Sequence, residues 1–184
     1  MQPIPSIHPT AVIESSGHLS LPTTTHIEAN AVISIGAEAS LTFGEKNTIY
    51  PGVVIRLKSG KLRTGHDVSL GPGVVIYETR AGLRIGDSCM IAAGVKICGV
   101  GHGMESIDIP MRSQPIKAQF IEIEDDVWIG MNSVIHPGVR IGAHSIIGSG
   151  SVVTKSIPPY SIAYGSPCRV VRTRTSIAGT VTNH

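Results

Sequence analysis

From Ile123 to Val153 an aliphatic residue falls on every sixth position: Ile123, Ile129, Ile135, Ile141, Ile147 and Val153. An even period suits the two-residue alternation of a β-strand and does not fit the 3.6-residue period of a helix. A small or β-branched residue follows four places later, at Val127, Ser133, Val139, Ser145 and Ser151, and Gly follows directly at Gly130, Gly142 and Gly148. This is a hexapeptide repeat, and it predicts a parallel β-helix. One hexapeptide cannot bury an apolar face alone, so successive coils must stack into a solenoid.

The period runs backwards in triplets: Phe43, Ile49, Ile55; then Thr64, Leu70, Ile76; then Ile85, Ile91, Ile97. The step between triplets is nine, so the triplets recur every 21 residues. Three hexapeptides make a triangular coil, and three extra residues fall at the same corner each time. The segments Arg56–Arg63 and Tyr77–Arg84 are therefore expected to bulge there, turning at Gly60 and Gly82. At the next coil the step from Ile97 to Ile123 is 26, which predicts an excursion over about 98–118. Such long interruptions are usually functional. Ile7, Ile13, Ile27 and Ile33 read as irregular first coils, giving about seven coils in all. After Val153 the ladder is expected to stop at Ile157-Pro158-Pro159, because proline cannot donate to it. The remaining tail should pack back, with a single domain over 1–175 and a frayed end over 176–184.

Composition narrows the classes. The chain has 184 residues, 4% aromatics and 15% charged residues, as suits a narrow aliphatic prism. A formal charge of +2 gives no argument for nucleic acid or a membrane surface, and no apolar run reaches membrane-spanning length. Met1–Pro5 has no basic start and no apolar stretch, so no secretory signal is expected. Cys89, Cys98 and Cys168 show no paired spacing, which fits a reducing cytoplasm.

The ordered set Val127-Trp128-Ile129-Gly130, Pro137-Gly138-Val139-Arg140-Ile141-Gly142, Gly148-Ser149-Gly150-Ser151-Val152-Val153-Thr154-Lys155 and Gly165-Ser166-Pro167-Cys168-Arg169-Val170 resembles the left-handed β-helix acyltransferases. The nearest branch is the maltose and galactoside O-acetyltransferases and the enzymes of polysaccharide decoration, over about Ile85 to Arg172. The resemblance implies the left hand of the coil, a cytoplasmic homotrimer, acetyl-CoA as co-substrate in a groove between subunits, and no metal. It also implies a sugar or polysaccharide precursor as acceptor.

That family uses a histidine of the excursion as general base, and the excursion holds one histidine, His102. A sugar hydroxyl is a poor nucleophile at neutral pH, and an imidazole within hydrogen-bond reach can take its proton during attack on the thioester. Glu105 and Asp108 are candidates to orient the ring. The 21-residue stacking puts Tyr77, Glu78 and Arg80 one coil below the start of the excursion, at the acceptor end. Trp128, Asp108 and Arg112 complete the acceptor candidates, with Arg112 and Gln114 also expected to anchor the loop. Acetyl-CoA is expected on the C-terminal coils. Gly130, Gly142, Gly148 and Ser149 would expose backbone to the pantetheine arm, and Lys155, Arg169 and Arg172 would meet the phosphates. His136 should lie near the root of the excursion, as wall.

Three other readings compete. N-acetylation of an amino sugar nucleotide uses the same prism. A γ-carbonic-anhydrase-like zinc protein would need three convergent histidines, whose paired spacing is missing from this sequence. A non-catalytic β-helix would leave the excursion unexplained.

Overall fold

The computed structural model describes residues 4–175. The molecule is an all-β, left-handed parallel β-helix of about seven turns. Its section is triangular, and each face is a ladder of short parallel strands. The first face stacks Ile27, Ile49, Leu70, Ile91, Ile129, Ile147 and Ala163 in register. The second stacks Ile13, Ile33, Ile55, Ile76, Ile97, Ile135 and Val153. The third stacks Leu19, Leu41, Leu62, Leu83 and Ile121, and beside them Thr64, Ile85, Ile123 and Ile141. The six-spaced aliphatics from Ile123 to Val153 are all buried, as are Val127, Ser133, Val139, Ser145 and Ser151 in the slots four places after them. Each such side chain leaves water against small or apolar neighbours of the adjacent coils, so burial comes from stacking.

The polar members of the core are tied down. Asn47 is fully buried; its Nδ2 donates to Thr64 Oγ1 (2.6 Å) and to the Gly65 carbonyl (3.1 Å), and its Oδ1 accepts from the Val68 N–H (2.7 Å). This explains a threonine in an otherwise aliphatic column between Phe43 and Ile85. Ser145 donates to the Pro158 carbonyl and accepts from Ser161 N–H, closing the last coil.

The corner between the second and third faces departs from expectation in a graded way. At Arg56–Arg63 the chain stays within one strand, Val54–Thr64, but its ladder shifts register opposite Leu57–Ser59 and Gly60 has φ +87, so the expected irregularity is taken up inside the strand. Leu57 and Leu62 are buried, so the extra residues lengthen the two faces into a single curved ladder on Val32–Thr42. One coil higher the strand breaks into Val75–Tyr77 and Leu83–Ile85. The turn between them closes with Gly82 N–H donating to the Thr79 carbonyl (2.8 Å), and Gly82 has φ +107, which glycine alone adopts without strain. In the coil above, the same corner opens into the excursion. It is a β-hairpin of Val100–His102 against Ile116–Ala118, with a short 3-10 turn at Met111–Ser113.

The upper end also differs. The ladder does not stop at Pro158-Pro159: Ile157 bridges Ile141, and Ser161–Tyr164 adds a further parallel strand to the first face. The prolines sit at the corner, where the ladder needs no donor from them. Arg169–Thr173 then folds back antiparallel on Ser161–Tyr164, so the tail packs against the prism. The frayed end expected over 176–184 lies outside the described residues. No helix of the described residues is long and apolar enough to cross a membrane.

Candidate active site

The excursion leaves the prism at Gly99 and returns at Gln119, whose N–H donates to the Gly99 carbonyl (3.2 Å). A Cβ on Gly99 would lie 2.8 Å from Thr79 Cα, so only glycine lets the outgoing strand pass that close over the coil below. The returning segment leans the other way, with the Gln119 side chain over Gly138 in the corner above. The hairpin is thus pinned at its root between the Glu78–Gly82 turn and the His136–Gly138 corner.

His102 is the last residue of the outgoing strand and is exposed. Among the described residues its ring has no hydrogen-bond partner within the chain, so both nitrogens stay available. Glu105 does not orient it. The Glu105 carboxylate is paired with Lys117 on the returning strand and accepts from the Met104 N–H, and the Lys117 contact first of all holds it below the usual carboxylate range. Asp108 lies in a local turn of the tip, its backbone N–H donating to Ser106 Oγ (3.1 Å). Gln114 is the anchor of the tip: it is buried, its Nε2 donates to the Ser106 carbonyl (2.8 Å), and its Oε1 accepts from the Ser106 N–H. Arg112 is exposed on the 3-10 turn and makes no ion pair among the described residues.

Of the acceptor candidates, Tyr77 and Glu78 lie under the hairpin root, with Tyr77 in register with Cys98. Tyr77 is exposed, whereas Glu78 is only 6% exposed and forms an ion pair with Arg80 at 3.1 Å. Trp128 is not brought to them within one chain. It stands on the first face, across the prism from the excursion corner, in a half-exposed apolar column with Met90 below and Ile146 above.

The cofactor candidates fall on three corners. Lys155 is exposed at the excursion corner, two coils above it. Gly130, Gly148 and Ser149 occupy the corner between the first and second faces, and Gly142 the remaining one. The backbone donors of these glycines are engaged within the prism. The N–H groups of Gly130, Gly142 and Gly148 donate to the carbonyls of Ile147, Ile157 and Ala163 in the next coil. Their lack of a side chain serves stacking: a Cβ on Gly142 would sit 2.3 Å from Pro159 N. Ser149 remains exposed, as do Arg169 and Arg172 on the returning tail strand.

One part of this region had no forecast. A cavity of about 500 Å³ opens on the third face at the foot of the hairpin, lined by Lys61, Arg63, Arg80, Gly82, Arg84 and Phe120 among others. The signal in the sequence was present: the 21-residue period aligns Arg63 with Arg84, and Phe120 is one of two phenylalanines. Among the described residues, no three histidine, cysteine or carboxylate side chains converge as metal ligands would.

Residues 120–155 match the bacterial transferase hexapeptide family (six repeats). The galactoside O-acetyltransferase of Escherichia coli K12 is 60% identical over 52 residues, which are 28% of this chain and 26% of that protein. High identity is therefore confined to a shorter stretch than the spread of motifs suggested, and spans about a quarter of the relative. A hexapeptide-repeat acetyltransferase from Vibrio cholerae, solved with acetyl coenzyme A, is 28% identical, with a TM-score of 0.55 over 74% of this chain and 72% of that one. AntD, an N-acyltransferase from Bacillus cereus solved with dTDP and 3-hydroxybutyryl-CoA, has the same fold, with a TM-score of 0.68, 20% identity, and 86% and 85% of the two chains covered. Fold, repeat and relatives agree that this chain is a hexapeptide-repeat protein carrying the bacterial transferase repeat in its C-terminal coils.

Proposed function

We propose that the protein is an acetyl-CoA-dependent O-acetyltransferase acting on a hydroxyl of a sugar or polysaccharide precursor. The observation that carries the reading is the excursion. A stack of coils is interrupted once, among the described residues, by a hairpin, and that hairpin holds an exposed histidine with no hydrogen-bond partner among the described residues. His102 takes the proton of the attacking hydroxyl as the oxygen adds to the thioester carbonyl. The tetrahedral adduct collapses, the C–S bond breaks, and the imidazolium returns the proton to the CoA thiolate. Lys155, Arg169 and Arg172 hold the CoA phosphates, and Ser149 lies along the arm. Tyr77 and Glu78 under the hairpin root, with Asp108 and Arg112 at its tip, bound the acceptor.

Assembly as a homotrimer completes the site. It brings Trp128, which lies across its own prism from the excursion, against the hairpin of a neighbour. The half-exposed Met90 and Trp128 on a flat strand face are the kind of surface that association covers. The resemblance to galactoside O-acetyltransferase supports the acetyl group and the hydroxyl acceptor.

The test is thiol release from acetyl-CoA across a panel of sugars and sugar phosphates, for the parent chain and His102→Ala. The substitution should leave acetyl-CoA binding intact and lower turnover by roughly 10²–10⁴. Full turnover by His102→Ala removes the base assignment, and no thiol release with any acceptor removes the reading.

A further inference from the structure

The third face carries an outward column in which Arg63, Arg84, Glu122 and Arg140 lie in register, one coil apart. Adjacent strands are about 4.8 Å apart, so Arg63 and Arg84 are like charges stacked directly on one another, an arrangement that destabilises a sheet unless something neutralises it. Arg84 leans upward to Glu122 (3.2 Å) and Asp125 (3.8 Å), and Arg140 shares Glu122 and Glu124. Arg63 has no acidic partner among the described residues, and neither does Lys61, two places before it on the same exposed side of the strand.

The next outward column explains the hollow beside these cations. Gly82 follows Lys61 one coil up, and its missing side chain leaves a notch. A Cβ there would lie 3.0 Å from the Phe120 ring, tighter than ordinary contact, so glycine at residue 82 lets the ring close the upper edge of the notch. Phe120 is 49% exposed, an apolar ring held at the mouth of a cationic cavity. Arg80 borders the same cavity with its charge answered by Glu78. The result is a concave site with two unanswered cations, two partly answered ones and a single aromatic wall.

We propose that this notch binds the phosphate of a phosphorylated acceptor, with Lys61, Arg63 and Arg84 on the phosphate oxygens and Phe120 against the organic part. Guanidinium groups fit phosphate through paired N–H donors, and an anion between Arg63 and Arg84 removes their repulsion. The notch lies at the foot of the hairpin. His102 is three strand residues beyond Gly99, roughly 10 Å along it, so one phosphorylated sugar or nucleotide sugar could span both. The site is on the opposite side of the excursion from Lys155, so it is separate from the proposed CoA phosphate contacts. Calling the ligand an acceptor rests on the acetyltransferase reading; the binding itself does not.

The experiment is calorimetric titration of the full chain, without acetyl-CoA, using uridine diphosphate, glucose 1-phosphate, inorganic pyrophosphate and uridine. The variants are Lys61→Ala/Arg63→Ala, whose side chains are exposed and make no ion pair among the described residues, and Phe120→Leu, each checked for the parent circular dichroism spectrum. At least one organic phosphate should bind, and uridine should not. The double variant should weaken that binding by at least about tenfold, from the loss of two charge-assisted contacts. Phe120→Leu should weaken the organic phosphates and spare pyrophosphate. Tighter binding of uridine diphosphate would mark a nucleotide-linked ligand, and of glucose 1-phosphate a sugar monophosphate. Absence of phosphate binding overturns the proposal, as does binding that the double variant leaves unchanged. In a separate titration with acetyl-CoA alone, an equal loss of binding in the double variant also overturns it, since the cations would then serve the cofactor. A failed thiol-release assay with intact phosphate binding counts against the acetyltransferase reading alone.

Discussion

Thr64→Val tests whether the buried polar network, and not the aliphatic column, determines what residue 64 must be. Thr64 occupies a core slot between Phe43 and Ile85, and valine has the same shape with a methyl in place of the hydroxyl. On hydrophobic grounds alone the change should help by about 0.8 kcal/mol for the added apolar group. The hydroxyl, however, accepts from Asn47 Nδ2 at 2.6 Å and from the Gly44 N–H at 3.3 Å. Asn47 keeps its bond to the Gly65 carbonyl, so one amide proton loses its partner, and the Gly44 N–H loses its own. Two lost bonds at about 0.5–1.5 kcal/mol each, plus the penalty on a poorly solvated donor, come to roughly 2–3 kcal/mol. The net is a destabilisation of about 1–2 kcal/mol, or a fall in Tm of about 2–8 °C for a chain of this size. Thermal melts by circular dichroism at one fixed protein concentration measure it, since any association shifts Tm by mass action. Asn47→Ala should cost more, because it also strips the Val68 N–H of its acceptor. A Thr64→Val protein as stable as the parent, or more so, would refute the reasoning.

Three further outcomes are expected. On the proposed CoA contacts, Lys155→Ala and Arg169→Ala should raise the KM for acetyl-CoA with kcat much less affected, and added salt should act likewise; steady-state kinetics with an unchanged KM would remove them from the cofactor site. Burial pushes the Cys89 thiol up to about 11 and raises Cys168 as well, so a disulfide reagent at pH 8 should label Cys98 first. Cys98→Ser should abolish that fast phase, and a fast phase that survives it would contradict the burial argument. The Glu124 carboxyl is held below its usual range chiefly by the Ala143 N–H and then by Arg140. A depressed carboxylate stabilises above its unfolded pKa of about 4.3, and that stability is lost as pH falls through the lower folded value. Glu124→Gln should therefore lower Tm at pH 7 and lose most of that difference at pH 3, and an equal gap at both would rule the mechanism out.

The sequence by itself determined the prism. An even period of six forces an alternation that only strands satisfy, and the 21-residue recurrence already aligned Ile55 with Ile76 and Ile97, and located the excursion to within a residue or two. It also singled out His102, because one histidine lies in the one long interruption. Repetition makes these inferences strong: every coil must offer the same inward positions to its neighbours, so stacking leaves its signature at a fixed spacing. Tertiary structure decided what happens where the repeat breaks. Whether three extra residues make a bulge or lengthen a strand depends on Leu57 and Leu62 finding the coils above and below, which no local spacing records. Whether Glu105 meets His102 or Lys117 depends on the register of a hairpin whose turn has no repeat. The contact that the glycines of the upper corners make with the next coil is decided in the same way, because their N–H groups and missing Cβ atoms face along the axis. The notch at Gly82 exists only because Lys61 and Arg63, Arg84, and Phe120 come from three separate stretches of chain that stacking brings to one face.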